Sequence, residues 1–421
     1  RVGSAGRTVS WRVSGHPLHV YLTYRHDPER EYVTYQCRLY AERSLVEPVR
    51  SVRIMEINVP HSGPAMPVTL RGMTGGACQR ETGSEFPPTL FRRIDRELRE
   101  GDAVEFADSS GRGSNEYLPI WLLHEGRQGI WFGPEWSGTW QMRAGRQGAE
   151  SRVRMGLQFL DFVMHQGEEV TLPAVSLGTY RGELDVGCNT LRRIIRDQFL
   201  PDVGGRLPQP KVVYQSLGGN ERYLDADGLR READLAARLG CEAFVFNSVW
   251  INSHRFESLR KNPSVHVFPP TGERRCYHWE DRTGDYTPDP ERFPDGIRAF
   301  REYLHERGLR LGLWIDPRIS EMSAEYAGCR DILLHSDRSE DGRLRDQYGR
   351  RGYEVNSLPL IDLARREGQI YLLALLERLV TQYGADWIWY DINTDPRVFY
   401  WNRHEDERRR GLLELRYFQG M

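Results

Sequence analysis

The sequence predicts two unlike halves: a β-sandwich over residues 1–188 and a parallel β/α assembly over residues 208–421, joined by a helix and a proline-rich connection at 189–207. Three observations predict this. Short runs rich in Val, Tyr, Thr and Trp, separated by Gly and Pro, fill the first half. In the second, apolar runs alternate with stretches of helical period. Pro201 and Pro208-Gln209-Pro210 lie between the two regimes.

In order, strands are expected at Thr8 to Val13, His19 to Tyr24, Tyr32 to Tyr40, Val49 to Val59, Val104 to Phe106, Leu118 to Leu123 and Gly129 to Phe132. Gly63-Pro64, Gly75-Gly76 and Pro87-Pro88 punctuate them, and a short helix is expected over Leu90 to Arg99. A basic helix from Asn189 to Leu200 carries Leu191, Ile194 and Ile195 at helical spacing and stops at Pro201. Then come a strand at Lys211 to Ser216, a helix at Asp225 to Leu239 with Gly240 as its stop, and a strand at Ala243 to Phe246. After a long loop, a helix at Gly296 to Arg307 leads to a strand at Leu309 to Ile315. A second long loop precedes a helix at Glu367 to Tyr383, a strand at Trp387 to Ile392 and a helix at Glu405 to Phe418. Four strand–helix units imply a parallel sheet, either doubly wound or a (β/α)8-type barrel of which about four units are present.

Composition excludes several functions. The 58 basic residues nearly cancel the 60 acidic ones, so nucleic acid and anionic membrane are not expected partners. There is no run of 18 apolar residues to span a bilayer. Arg1 to Ser10 hold no apolar stretch, so they are not expected to be a secretion signal. The six cysteines (37, 78, 188, 241, 276 and 329) form no C-x-x-C pair, so no metal site is expected and a reducing, cytoplasmic compartment is. A homo-oligomer is compatible with all of this. Only Lys211 and Lys261 are lysines, which leaves 56 of the basic residues as arginine; this reads as coding bias.

In a parallel-sheet fold the reactive groups gather at the carboxyl ends of the strands. Those ends carry Leu217-Gly218-Gly219-Asn220, Asn247-Ser248-Val249-Trp250, Trp314-Ile315-Asp316-Pro317 and Tyr390-Asp391-Ile392-Asn393. Aromatic planes beside amides and carboxylates suit a sugar, whose CH faces stack and whose hydroxyls take directed hydrogen bonds. Asp391, leaving a buried strand, can attack an anomeric carbon; the plainer alternative is an Asp that caps a loop. Asp316, before Pro317, can serve a turn instead, Trp250 and Trp314 can be core plugs, and Asp285 can order its loop.

Several of these residues carry a resemblance. Gly284-Asp285-Tyr286-Thr287-Pro288-Asp289-Pro290-Glu291-Arg292-Phe293-Pro294-Asp295-Gly296 and Gly312-Leu313-Trp314-Ile315-Asp316-Pro317 resemble G-D-W-x-x-D-x-x-x-F-P-x-G and G-L-W-F-E-P of the melibiase-type α-galactosidases, glycoside hydrolase family 36. Leu360-Ile361-Asp362-Leu363 is similar to the family's L-V-L-D-L, and Trp389-Tyr390-Asp391-Ile392-Asn393 to its K-W-D-M-N. Gly129-Ile130-Trp131-Phe132 through Trp136-Ser137-Gly138 is similar to the strand before its Y-S-G-N. The resemblance implies a β-sandwich followed by a (β/α)8 barrel, an α-galactoside-like oligosaccharide or glycoside substrate, no cofactor, and a retaining mechanism on two carboxylates. It places the nucleophile on Asp391 and the sugar-binding tryptophan on Trp314. It places the acid/base on a later barrel strand, beyond Met421, so the isolated chain is expected to be inactive.

The departures point to an altered sugar preference. The family's D-D-G-W is here Asn247-Ser248-Val249-Trp250, its lysine before the nucleophile is Trp389, an arginine ahead of L-V-L-D-L is Asn356, and W-E-A becomes Leu217-Gly218-Gly219. The expected sugar contacts are therefore Trp314, Trp250, Asn247, Ser248, Asp316, Trp389, Asn393 and Asn356. The alternative is a degenerate, non-catalytic carbohydrate-binding member of the same fold. A phosphate-binding enzyme lacks its G-x-G-x-x-G or P-loop.

Overall fold

A computed structural model describes residues 6–76, 91–108, 113–114, 116–200, 205, 209, 211–216, 225–251, 266–267, 275–276, 283–320, 323–336, 358–391, 400–401 and 406–420. Its first half consists of thirteen strands: β1 (Gly6–Arg12), β2 (Leu18–Asp27), β3 (Tyr32–Ala41), β4 (Val52–Pro60), β5 (Val68–Met73), β6 (Arg93–Leu98), β7 (Ala103–Asp108), β8 (Trp121–Glu125), β9 (Gln128–Pro134), β10 (Trp140–Gln147), β11 (Glu150–Leu157), β12 (Glu169–Thr171) and β13 (Val175–Arg181). Nine form an antiparallel sheet in the order β1-β2-β3-β13-β9-β8-β5-β6, with β12 beside β3, and four form a second sheet, β4-β11-β10-β7. Strict alternation makes the sandwich. Along β10, Trp140, Met142, Ala144 and Arg146 are buried while Arg143 and Gln147 are exposed. Trp121, Phe132, Trp140, Met142, Met155 and Phe162 meet between the sheets.

The helix expected over Leu90 to Arg99 is not formed. Arg93–Leu98 is β6, paired antiparallel with β5. Ile94 and Leu98 are four residues apart, which satisfies a helical stripe and one face of a strand equally. The pairing with Val68–Met73 decides between them, and Leu98 is fully buried.

One buried polar cluster ties the sandwich edge together. His61 Nε2 lies 2.7 Å from Ser151 Oγ, His61 Nδ1 lies 3.2 Å from Glu125 Oε2, and Ser62 N donates to Glu125 Oε1 at 2.7 Å. The order serine–histidine–carboxylate resembles a hydrolytic triad, but Ser151 is 0% exposed, so no acyl group reaches its hydroxyl. The cluster satisfies buried polar groups.

Helix α1 (Leu184–Ile194) begins five residues before the expected start and runs into a wide turn at Ile195–Phe199. Leu184, Cys188, Leu191 and Ile194 pack it on Leu122, Trp131 and Tyr180 of the nine-stranded sheet.

The second half contains β14 (Val213–Gln215), α2 (Ala226–Arg238), β15 (Ala243–Val245), the short ladder β16 (His266–Val267) with β17 (Arg275–Cys276), α3 (Ile297–His305), β18 (Arg310–Ile315), α4 (Tyr326–Cys329), β19 (Leu333–Ser336), β20 (Leu360–Ile361), α5 (Arg366–Thr381), β21 (Trp387–Tyr390), β22 (Tyr400–Trp401) and α6 (Arg410–Gly420). β14, β15, β18 and β21 form one sheet, every pair parallel and in chain order. A doubly wound sheet reverses its strand order; these four strands do not. Asp225 caps α2 by accepting from Gly228 N at 2.7 Å. Leu229, Ala233, Phe300, Leu304, Leu375 and Leu379 from α2, α3 and α5 cover Phe244, Leu311 and Leu313 of the sheet. The segment after β18 builds a separate antiparallel sheet, β20-β19-β22, over Ile319, Leu334, Leu360 and Leu363.

Helix α6 joins the two halves. Leu412 and Leu415 enter the sandwich core, while Tyr417 enters the cluster around Leu334 and Leu360. Buried Glu414 accepts from Thr139 N, and Glu168 takes Arg409 at 2.6 Å and Arg416 at 2.7 Å. A Cβ on Gly411 would lie 1.2 Å from the carbonyl oxygen of Leu160. In an isolated helix Gly→Ala gains about 1 kcal/mol. Here Gly411→Ala is expected to reverse that sign and lower the melting temperature by several degrees, because a backbone carbonyl cannot yield as a side chain can. Thermal unfolding followed by circular dichroism checks this; a rise in melting temperature would contradict the packing described.

Candidate active site

Strand periodicity sets the site. In β21, Trp387 and Trp389 point to one face and Ile388 and Tyr390 to the other, so Asp391 follows Trp389. β18 pairs with β21 in parallel, with Trp314 opposite Trp389 and Ile315 opposite Tyr390. Trp314 therefore shares the face of Trp389 and Asp391. Asp391 N extends the ladder by donating to Ile315 O at 2.8 Å. The outcome is direct contact: Trp314 Nε1 donates to Asp391 Oδ2 at 2.8 Å. Asp391 is half-buried, and its Oδ1 has no hydrogen-bond partner among the described residues.

Trp314 is itself buried, 2% exposed, so its ring is not the open sugar platform expected, and it is held from behind. Trp250 Nε1 donates to Trp314 O at 2.9 Å, and Trp250 is 0% exposed. Trp250 has no surface to offer a sugar; the structure makes it a plug behind Trp314 instead of the expected platform. Asn247 delivers it. The Asn247 side chain accepts from Ser248 N at 2.6 Å and caps the single turn Ser248–Trp250, which swings the indole inward. Ser248 is buried, and Asn247 N donates to Ser216 Oγ at 3.4 Å.

Asp316 also turns away from the sheet opening. It is 1% exposed, and its Oδ1 accepts from Arg318 N at 2.9 Å and from Arg318 Nε at 2.7 Å, while Arg318 Nη2 reaches Oδ2. Burial pushes the Asp316 carboxyl above its ordinary range, Arg318 opposes that, and the nearby charge of Asp391 adds to the rise. Its committed partner makes it a fixture of the turn at Pro317, not a free sugar ligand. Trp389 lies half-buried beside Trp314. Asn393 and Asn356 lie outside the described residues, as does Leu217-Gly218-Gly219.

Two residues escape a reading of sequence alone. Arg318 is fully buried, yet one arginine among 56 carries no mark. Tyr286 has a left-handed backbone (φ 43°) and is 1% exposed. Its hydroxyl donates to Asp316 O and accepts from Asp316 N at 2.8 Å, and its ring stacks on Trp250 with centroids 6.1 Å apart. Strain of this kind in a non-glycine residue concentrates at functional sites. Asp285 orders the same loop by accepting from Ala324 N at 2.7 Å.

Residues 272–419 match the Melibiase family model. This chain is similar to the melibiase-type α-galactosidases of glycoside hydrolase family 36. The matched stretch contains Trp314 and Asp391. α-Galactosidase Mel36A of Lactobacillus acidophilus is 26% identical over 324 residues, covering 72% of this chain and 38% of that protein. α-Galactosidase 1 of Pediococcus pentosaceus is 27% identical over 194 residues, covering 46% of this chain and 22% of that protein. The chain thus spans well under half the length of these melibiase relatives. Among solved structures, the α-galactosidase of Lactobacillus brevis superposes with a TM-score of 0.67 at 18% identity, covering 99% of this chain and 50% of that one. The family 36 α-galactosidase AgaA of Geobacillus stearothermophilus gives 0.69 at 16% identity, covering 99% and 57%. These likenesses show a shared fold that extends through the sheet-rich first half.

Removing one partner of a buried ion pair typically costs about 3–5 kcal/mol. Arg318→Met is expected to destabilise the chain by that order at neutral pH. The gap to wild type should narrow on acidification. A carboxyl whose folded-state pKa is raised favours the folded state when protonated, so lone Asp316 stops penalising the fold as pH falls through its raised value. Urea unfolding of both proteins between pH 7 and pH 4.5 checks this, and a constant gap would contradict it.

Proposed function

We propose that this chain supplies the nucleophile-bearing part of a retaining α-glycoside hydrolase that acts on terminal α-galactoside-like sugars. The observation that carries the reading is the hydrogen bond from Trp314 to Asp391 at the ends of two adjacent parallel strands. Four parallel strands in chain order support a (β/α)8 barrel begun over 208–421, after a sandwich at 1–188 and a connection at 189–207. Relatives by structure are named as complexes with stachyose and raffinose, and we carry that oligosaccharide class to this chain. The unpaired cysteines at 37, 188, 241 and 329 support a reducing, cytoplasmic setting.

In the proposed chemistry, Trp314 pins Oδ2 and leaves Oδ1 of Asp391 to attack the anomeric carbon. The new carbon–oxygen bond forms as the glycosidic bond breaks, and an acid protonates the leaving oxygen. The same group, now a base, takes a proton from water, whose oxygen attacks the anomeric carbon and releases the carboxylate. Asp316 cannot be that group while Arg318 holds both its oxygens. The resemblance implies that the acid/base comes from a later barrel strand than these four, so Asp391 alone does not complete the reaction.

A second reading, a carbohydrate-binding member without turnover, is favoured by one observation. Where the D-D-G-W motif of the resemblance has two carboxylates, this chain has Asn247 and Ser248, and the Oδ1 of Asn247 is spent on the Ser248 amide. A hydroxyl-gripping charge pair is absent there, and each charged hydrogen bond is worth roughly 1.5–3 kcal/mol.

Two variants of the full-length protein test the proposal against aryl α-galactosides. Asp391→Asn is expected to lower kcat by about 10⁴-fold or more while the melting temperature stays within a few degrees. An unchanged rate would refute the nucleophile. Trp314→Phe keeps an aromatic ring, though a smaller one, and removes the donor, so kcat is expected to fall about 10²-fold as the carboxylate loses its aim, with KM moving little. An effect confined to KM would contradict the aiming role of Trp314. No turnover of any aryl α-glycoside by the wild-type protein would favour the binding-only reading.

A further inference from the structure

A second site lies on the outer face of the four-stranded sheet, on the sandwich half. A cavity of about 220 Å³ opens there, lined by Arg53, Arg143, Arg154, Gln141 and Gly156 among others. Its origin is a bulge. The register of β11 against β4 shifts between Met155 and Gly156, and a Cβ on Gly156 would meet Val52 O at 2.1 Å. Only glycine fits, so no side chain stands between Gln141 of β10 and Arg53 of β4, the two residues opposite Gly156.

Arginine is this chain's default cation, so arginines alone signify little. Their arrangement does. Arg143 and Arg154 sit directly opposite each other on β10 and β11, a like-charge pairing that costs stability unless something bridges it. Glu56 is shared by Arg53, Arg152 and Arg154, and Glu105 takes Arg143 at 2.5 Å. Four arginines thus face two glutamates. Arg154 Nε is buried without a hydrogen bond, although it lies 3.3 Å from Glu56 Oε2. A buried charged donor left unsatisfied is uncommon in a folded protein.

We propose that this notch binds a small tetrahedral oxyanion, the phosphate or sulfate group of a free anion or of a hexose ester. Guanidinium groups from three different strands approach from different directions, which suits a tetrahedral group; a planar carboxylate needs one fork only. The volume admits one such group with at most a single sugar ring. The site is separate from the Trp314–Asp391 pair and does not depend on it.

The test is isothermal titration of the 421-residue chain with sodium phosphate, sodium sulfate and hexose 6-phosphate, each at constant ionic strength made up with chloride. Saturable one-site binding is expected for at least one of them. Arg143→Gln and Arg154→Gln should each weaken it about tenfold or more, while Arg181→Gln, on the other sheet, should leave it unchanged. Equal affinity for inorganic phosphate and the ester would assign the site to the free anion; tighter binding of the ester would assign it to a sugar ester. As a check that needs no variant, saturating ligand should protect Arg143 and Arg154 of the wild-type chain from phenylglyoxal, mapped by mass spectrometry. Absence of saturable binding by all three ligands, or binding that survives both substitutions with no protection of these arginines, would overturn the proposal.

Discussion

The site depends on one alignment: a parallel ladder that sets Trp314 opposite Trp389. Because side chains alternate along a strand, that register alone puts the next outward group of β21, the carboxylate of Asp391, within reach of the Trp314 indole. A slip of one residue would turn Asp391 toward the helices and bring Tyr390 to the opening. The helices guard against such a slip. Phe244, Leu311 and Leu313 are fully buried against them, and moving any of these to the other face would strand large apolar groups.

Behind that alignment lies a layer that never meets substrate in the proposed chemistry but fixes what does. Trp250 holds the carbonyl of Trp314, Tyr286 stacks on Trp250, and the Tyr286 hydroxyl spans the carbonyl and amide of Asp316. Asp316 in turn is neutralised by Arg318 in the interior. Each link is short, buried and directional. The strained backbone at Tyr286 is tolerated because its ring and hydroxyl are both engaged.

How much of this was legible in the sequence follows from what each signal measures. That Asp391 and Trp314 lie at the ends of neighbouring strands was readable, because a carboxylate right after an apolar run marks a strand end and motif order sets Trp314 near the end of another. Trp250, Asp316 and Ser248 were readable as strand-end residues, but not their direction; a residue's type does not say whether it faces the opening or the core. Arg318 was hidden because arginine is everywhere in this chain. The misread segment was Arg93–Leu98, where two apolar residues four apart fit either period and only a distant partner strand could decide. The helix at Leu184 was placed late because its first turn presents Asp185 and Gly187, and glycine is needed there so that the helix can approach Leu122 and Tyr180.

The last helix has an architectural corollary. Because α6 lends Leu412 and Leu415 to one interior and Tyr417 to another, the sandwich is not a detachable module. Grafting either half onto a foreign partner would leave a hole in one core or bare leucines in solvent.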